Sequence, residues 1–381
     1  MRELLAGAAD EWGTPTYVLD LDRAALNLAQ VRAALPEALV AYAVKANHDP
    51  SLLRRLVADG AGCEVVTAVE LALAVRAGCP PERIVMNGVG KTDEEAAEAL
   101  ALRALVNAES LDELGALLAL GVPGARIGVR LNPGMEAATH PHLATGAASS
   151  KFGIPIEQLD QALGMARAAG VQLAAVGAHL GSNLEDAAPY AELVERLLPA
   201  LEAAGAELLD LGGGWATVAM AASLPDRVGL VVEPGRSLVA DAGSVLTRVV
   251  RVQPRDGFAY LVADAGMSEL LRPVLYGAEH PVTLVADGTR VELPAAVHLA
   301  GPVCEAGDVL ARDIGRWLDP GELGRAGPGA LVAIGRVGAY GAVMASTYNG
   351  RPRPAEVVVE GGVARLSRRR ETLDDLVARD A

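Results

Sequence analysis

Eight short β-rich runs along the first 236 residues constrain this chain more than any other feature. They are VAYAVKAN (40–47), GCEVVT (62–67), RIVMNG (83–88), RALVNA (103–108), RIGVRLN (126–132), LAAVGAHL (173–180), LLDLGGG (208–214) and LVVEPGR (230–236). Between most of them lie Ala/Leu-rich segments with helical periodicity, such as DPSLLRRLVADG and DEEAAEALAL. The first five runs recur at intervals of roughly 20 residues, the length of one βα unit. Eight such units in succession predict a closed (β/α)8 barrel. Two intervals break the rhythm. NPGMEAATHPHLATGAASSKFGIP (132–155) is rich in Gly, Thr, Ser and Pro and reads as a loop over the barrel mouth. The interval from Trp215 to Gly229 is short, with 15 residues.

From about residue 240 the pattern changes. SVLTRVVRVQ, FAYLVADAG, VTLVADGTRVEL, ALVAIGRVGAYG and AEVVVEGGVARL read as successive strands with turns between them. TPTYVLDLD, near the N-terminus, reads as a further strand. The expected fold is therefore α/β plus all-β. A (β/α)8 barrel spans 24–237, and a β-sandwich or barrel domain combines 1–23 with 238–381.

Acidic residues outnumber basic ones, 48 to 33, for a net charge of -15. That argues against nucleic-acid binding, which needs cationic surface to displace counterions. The three cysteines, Cys63, Cys79 and Cys304, fit no metal-ligand spacing and suggest a reduced, cytoplasmic protein. No basic segment followed by an apolar run opens the chain, and no uncharged apolar stretch reaches spanning length. Neither a signal peptide nor a membrane span is expected.

In a (β/α)8 barrel, chemistry collects at the C-terminal ends of the strands. Those ends here hold Lys45, His179, Ser182, the run Gly212-Gly213-Gly214, and Glu233-Pro-Gly235-Arg236. Each has a bland alternative. Lys45 alone reads as a solvated lysine, and His179 as a satisfied interior histidine. Three glycines can form a plain loop, although they also let backbone N–H groups approach an anion. Glu233 could simply pair with Arg236, since a carboxylate after the apolar run GLVV needs a partner. Together they supply an amine, an imidazole face, an anion cradle and a buried carboxylate. Pyridoxal 5'-phosphate needs that set: a lysine for its aldehyde, N–H donors for its phosphate, an anion for its ring nitrogen.

The motifs YAVKAN, HLGSN, LGGG, EPGR, DAGMSELLRPVLYGAEHP, GPVCEAGD and GAYGAVMASTYNGRPRPAEV extend this set. With them the chain resembles the fold-type III pyridoxal-phosphate amino-acid decarboxylases, over nearly its whole length and in that family's motif order. The branch acting on diaminopimelate is the nearest part. The resemblance implies a head-to-tail homodimer with shared active sites. It makes Lys45 the Schiff-base lysine, places His179 on the cofactor ring and Ser182 on its phosphate. Gly213, Gly214 and the backbone of Gly235 and Arg236 would cradle that phosphate. Glu233 would pair with the ring nitrogen, and Arg236, Arg272, Tyr276, Glu305 and Tyr340 would contact substrate, Tyr340 also lying near the phosphate. Cys304 would reprotonate the α-carbon from the partner subunit. An ordinary thiol keeps its proton near neutrality and can deliver it.

Arginine forks suit carboxylates, so a second, distal carboxylate on the substrate fits, as in meso-diaminopimelate. Four departures fall at the mouth: the short 215–229 interval, TAVEL, NGVGKTDEE and Asn183 in HLGSN. They keep open a decarboxylase of a modified or carrier-linked amino acid from siderophore or antibiotic biosynthesis. A racemase of the same fold type would place an arginine at the ring nitrogen, which Glu233 opposes. A non-catalytic homologue would have no need of Lys45, Glu233 and Cys304 together.

Overall fold

The computed structural model describes residues 1–135, 149–227, 229–378 and 380. Most of the loop expected over the barrel mouth, residues 136–148, lies outside them. The chain forms two compact units, Ala25–Leu238 and Met1–Ala24 with Val239–Ala381. Strand β1 (Thr16–Asp20) belongs to the second.

The first unit holds β2 (Leu39–Ala43), β3 (Gly62–Val65), β4 (Ile84–Met86), β5 (Leu105–Ala108) and β6 (Arg126–Asn132). After the two-residue β7 (Ile154–Pro155) come β8 (Ala175–Gly177), β9 (Leu208–Asp210) and β10 (Leu230–Val232). All pair in parallel, and the ring β2-β3-β4-β5-β6-β8-β9-β10 closes back on β2. Each of the eight runs read from the sequence supplies one barrel strand. β7 is an addition on the edge of β6.

Helix starts are written into the connections. Thr67, Thr92 and Ser110 each stand three residues before a glutamate, Glu70, Glu95 and Glu113. In each case the hydroxyl accepts the glutamate's backbone N–H. At Thr92 the glutamate side chain also returns to the cap's own N–H, completing a capping box. Asp49 does the same work for Pro50–Ala58, accepting the N–H groups of Ser51 and Leu52. Among the described residues between β9 and β10 there is no α-helix, only a 3-10 turn at Val218–Ser223, as so short an interval allows.

Strand side chains alternate, so every second residue points into the barrel. Ala41, Val85, Leu105, Ala175 and Val231 form one buried apolar cluster there, packed with Leu39 and Leu208. Two residues beyond Val85, Leu105, Leu208 and Val231 stand Asn87, Asn107, Asp210 and Glu233. The barrel is apolar at depth and polar one layer higher. Glycines make room for that layer: a side chain at Gly128 would strike Asn107, and one at Gly177 would strike Asp210.

The second unit is a mixed sheet built on the long strand β11 (Gly243–Arg255). The others are β12 (Phe258–Ala263), β13 (Val282–Ala286), β14 (Ala296–Ala300), β15 (Val309–Ala311), β16 (Leu331–Gly335), β17 (Ala355–Glu360) and β18 (Val363–Arg368). The order runs β15-β14-β12-β11-β1-β17-β18, with β16 also on β11 and β13 on β16. β1 therefore sits between β11 and β17. Alternation sends Val245 into a core with Leu261, Val297 and Ile334, and Leu246 into another with Val18 and Val357. The helix Arg2–Trp12 covers the latter with Leu5 and Ala8. VTLVADGTRVEL forms a strand only over its first five residues, and β14 and β15 lie in segments where no strand was expected. No helix among the described residues is long and apolar enough to cross a membrane.

Candidate active site

At the C-terminal rim of the barrel, Lys45 sits in a single 3-10 turn, Val44–Ala46, directly after β2. Its side chain is 41% exposed, and its Nζ lies 2.6 Å from Oε2 of Glu64, a residue with no exposed surface. From there a chain of amides crosses the barrel. The Asn87 amide donates to Glu64 at 3.3 Å and to Glu233 at 2.6 Å. The Asn107 amide donates to the Asn87 carbonyl at 2.9 Å and to Asp210 at 3.3 Å. Lys45 and Glu233 are thus joined through two intermediate side chains.

Glu233 is buried, and its carboxyl is held well above the ordinary range by desolvation and then by the neighbouring Asp210 and Glu64. Asp210, also buried, is pushed up to about 6 by desolvation and Glu64. Such a carboxylate favours any cation brought against it. His179 is pulled well below its usual value by burial, then by the charges of Arg130 and Lys45. It is a neutral imidazole, and its Nδ1 accepts the Gly213 N–H at 3.1 Å.

The glycine run has little freedom to be anything else. Gly214 has φ +107°, and a side chain there would strike the Gly181 carbonyl. A side chain at Gly213 would strike the Glu233 carbonyl. The first two N–H groups of the run hold other residues, Gly212 to Asp210 at 2.9 Å and Gly213 to His179. Tyr190 fixes the run from behind by donating to the Gly213 carbonyl at 2.6 Å. A side chain at Gly235 would press on Ala43 and Ala46, beside the Lys45 turn. Arg236 donates to the Ser182 hydroxyl at 3.1 Å.

The remaining expected residues lie in the second unit, in two groups. Arg272 is 7% exposed, and its guanidinium stands 5.5 Å from the Tyr276 ring and 5.8 Å from the Tyr340 ring. Cys304 and Glu305 share a loop. The Cys304 N–H donates to Asn349 at 3.0 Å, and Glu305 accepts from the Tyr348 hydroxyl at 2.5 Å. Asp308 ties the loop down by accepting the N–H groups of Val303 and Met267.

Glu64, Asn87, Asn107, Arg130 and Asp210 were not singled out from the sequence. Their signal was a polar residue on the inward-facing alternate of an apolar strand. It is legible only once the strands' inward faces are known.

A cofactor with an aldehyde, a phosphate and a basic ring nitrogen fits the barrel rim. The amine of Lys45, the buried Glu233, the neutral face of His179 and a backbone too tight for side chains at Gly213 and Gly214 suit it. The comparisons agree. The chain belongs to the pyridoxal-dependent decarboxylase family, whose pyridoxal-binding domain matches residues 23–240. Its relatives in that family include diaminopimelate decarboxylases. That of Deinococcus radiodurans is 41% identical over 387 residues, covering 99% of this chain and 98% of that protein. That of Aquifex aeolicus is 37% identical, covering 97% and 92%. Among solved structures, the Helicobacter pylori enzyme complexed with L-lysine superposes with TM-score 0.86 at 32% identity, over 96% of each chain. The M. jannaschii enzyme, also with L-lysine, gives 0.88 at 31%, over 98% and 94%.

Proposed function

We propose that this protein is a carboxy-lyase that converts meso-diaminopimelate to L-lysine and CO2 with pyridoxal 5'-phosphate. The observation that supports it most is the hydrogen-bonded path from Lys45 through Glu64 and Asn87 to the buried Glu233. It sets an amine and a carboxylate at one barrel rim, as this cofactor requires. When bound, the cofactor accepts the electron pair that CO2 leaves behind, and each 1.36 kcal/mol removed from the barrier is worth about tenfold in rate.

In this reading Lys45 holds the aldehyde carbon, and Glu64 keeps its amine at the barrel wall. Glu233 stabilises a proton on the ring nitrogen. His179, neutral, would pack against the ring without adding charge. Ser182, Gly214, and the backbone of Gly235 and Arg236 hold the phosphate, while Gly213 positions His179. Arg236, Arg272, Tyr276, Glu305 and Tyr340 bind the substrate, the arginines taking its carboxylates. The protein acts as a homodimer in which Cys304 of the partner subunit returns a proton to the α-carbon. Three free cysteines fit a reducing, cytoplasmic setting.

A panel of amino acids with and without a distal carboxylate tests this through CO2 release. Meso-diaminopimelate should be turned over far faster than L-lysine or L-ornithine, which lack a second carboxylate. Turnover of another acid with none of meso-diaminopimelate would overturn the substrate assignment.

A further inference from the structure

Asn87 is a link in the path described above, and its surroundings give it a role of its own. It follows β4 and is buried. Its backbone is fixed on both sides. Its own N–H donates to the Val65 carbonyl at 2.9 Å, and the next one, of Gly88, donates to Glu109 at 3.0 Å. Its amide nitrogen donates to two carboxylates, Glu64 at 3.3 Å and Glu233 at 2.6 Å. Its amide oxygen accepts from Asn107 at 2.9 Å.

An amide can be turned end for end, but here the turn is blocked. Reversed, Asn87 would set its oxygen against two carboxylates and its NH2 against that of Asn107. Asn107 cannot reverse to accommodate it. The Asn107 amide nitrogen also donates to Asp210 at 3.3 Å, and its oxygen fills the space that a side chain at Gly128 would need. Lys91 holds the Asn107 main-chain carbonyl at 3.0 Å. The two amides form a row of donors with one allowed direction, facing the carboxylates.

Glu233 needs such a donor. Burial, Asp210 and Glu64 favour its neutral form, and Lys45 and the Asn87 amide oppose them. An N–H donor favours a carboxylate over a carboxylic acid, and its bond to the charged form is the stronger one. We propose that Asn87 is a positioning residue for the cofactor site: its amide, locked in one direction by Asn107, holds the Glu233 carboxylate as an acceptor for a protonated ring nitrogen. This rests on Glu233 being the partner of that nitrogen.

The test compares two ligands on cofactor-free, full-length protein: pyridoxal 5'-phosphate and its deaza analogue, which carries C–H in place of the ring nitrogen. Wild type should bind pyridoxal 5'-phosphate at least about tenfold more tightly. Asn87→Leu, similar in size but without the donor, should lose about tenfold toward pyridoxal 5'-phosphate and no more than about twofold toward the analogue. Asn87→Ala should show the same selective loss, and it serves if leucine in the polar layer prevents folding. Equal losses toward both ligands would make Asn87 merely structural and overturn the proposal, as would an undiminished preference. If wild type itself binds the two ligands equally, Glu233 does not meet the ring nitrogen, and the reading beneath the proposal fails first.

Discussion

Lys45 is one of three lysines in 381 residues, with Lys91 and Lys151. Lys91 has no exposed side chain; its Nζ is held by the Asn107 carbonyl at 3.0 Å and Glu113 at 2.9 Å. Lys151 lies over the Phe152 ring at 5.3 Å. Lys45 combines exposure with a fixed carboxylate partner, which suits an amine that must meet an aldehyde. At the same scale, Asp210 makes a prediction about stability. A carboxyl raised on folding binds its proton more tightly folded than unfolded. Its contribution to stability is therefore present at low pH and declines as pH rises from the ordinary carboxylate range, about 4, to about 6. Asp210→Asn, which does not titrate, should gain on wild type across that window. Urea unfolding of the cofactor-free proteins at several pH values measures it; a difference that stays flat with pH would count against a buried, titrating Asp210.

The elements show what a sequence yields and where it stops. The eight barrel strands were legible because each is a short apolar run flanked by helical periodicity, and the period of the βα unit did the rest. The polar layer was not, because Asn87, Asn107 and Asp210 stand at run ends, where Asn and Asp also mark turns. Which face they take follows from strand register, and register is tertiary. Lys45, His179 and Glu233 were legible because each interrupts an apolar run with a costly group. In the second unit, β14 and β15 are broken by a register shift and were missed. Capping is testable at this scale. Thr92→Ala removes a capping box and should cost about 1 kcal/mol, roughly 2–4 °C in Tm for a unit of this size. Val89→Ala, exposed in the same loop, should leave Tm nearly unchanged. Equal effects of the two would show that the cap adds nothing.

For the whole molecule, the division of labour between units is the main consequence. The barrel holds the candidate cofactor residues, and the mixed sheet carries Arg272, Tyr276, Tyr340, Cys304 and Glu305. If Cys304 of the partner subunit serves each barrel, the protein is active only as a homodimer. Lys45→Ala and Cys304→Ala should each be nearly inactive alone. Mixed under conditions of subunit exchange, they should recover up to about a quarter of wild-type activity, since one of the two sites is intact in the half of dimers that are mixed. No recovery despite demonstrated exchange would show that each subunit completes its own site. The assignment of Lys45 to the cofactor underlies every step, and one measurement tests it directly. The loaded enzyme is treated with borohydride to fix the cofactor to the protein, digested, and mapped by mass spectrometry. The pyridoxyl phosphate group should appear on the peptide containing Lys45 and on neither Lys91 nor Lys151. Its appearance on another lysine, or on none, would contradict the account.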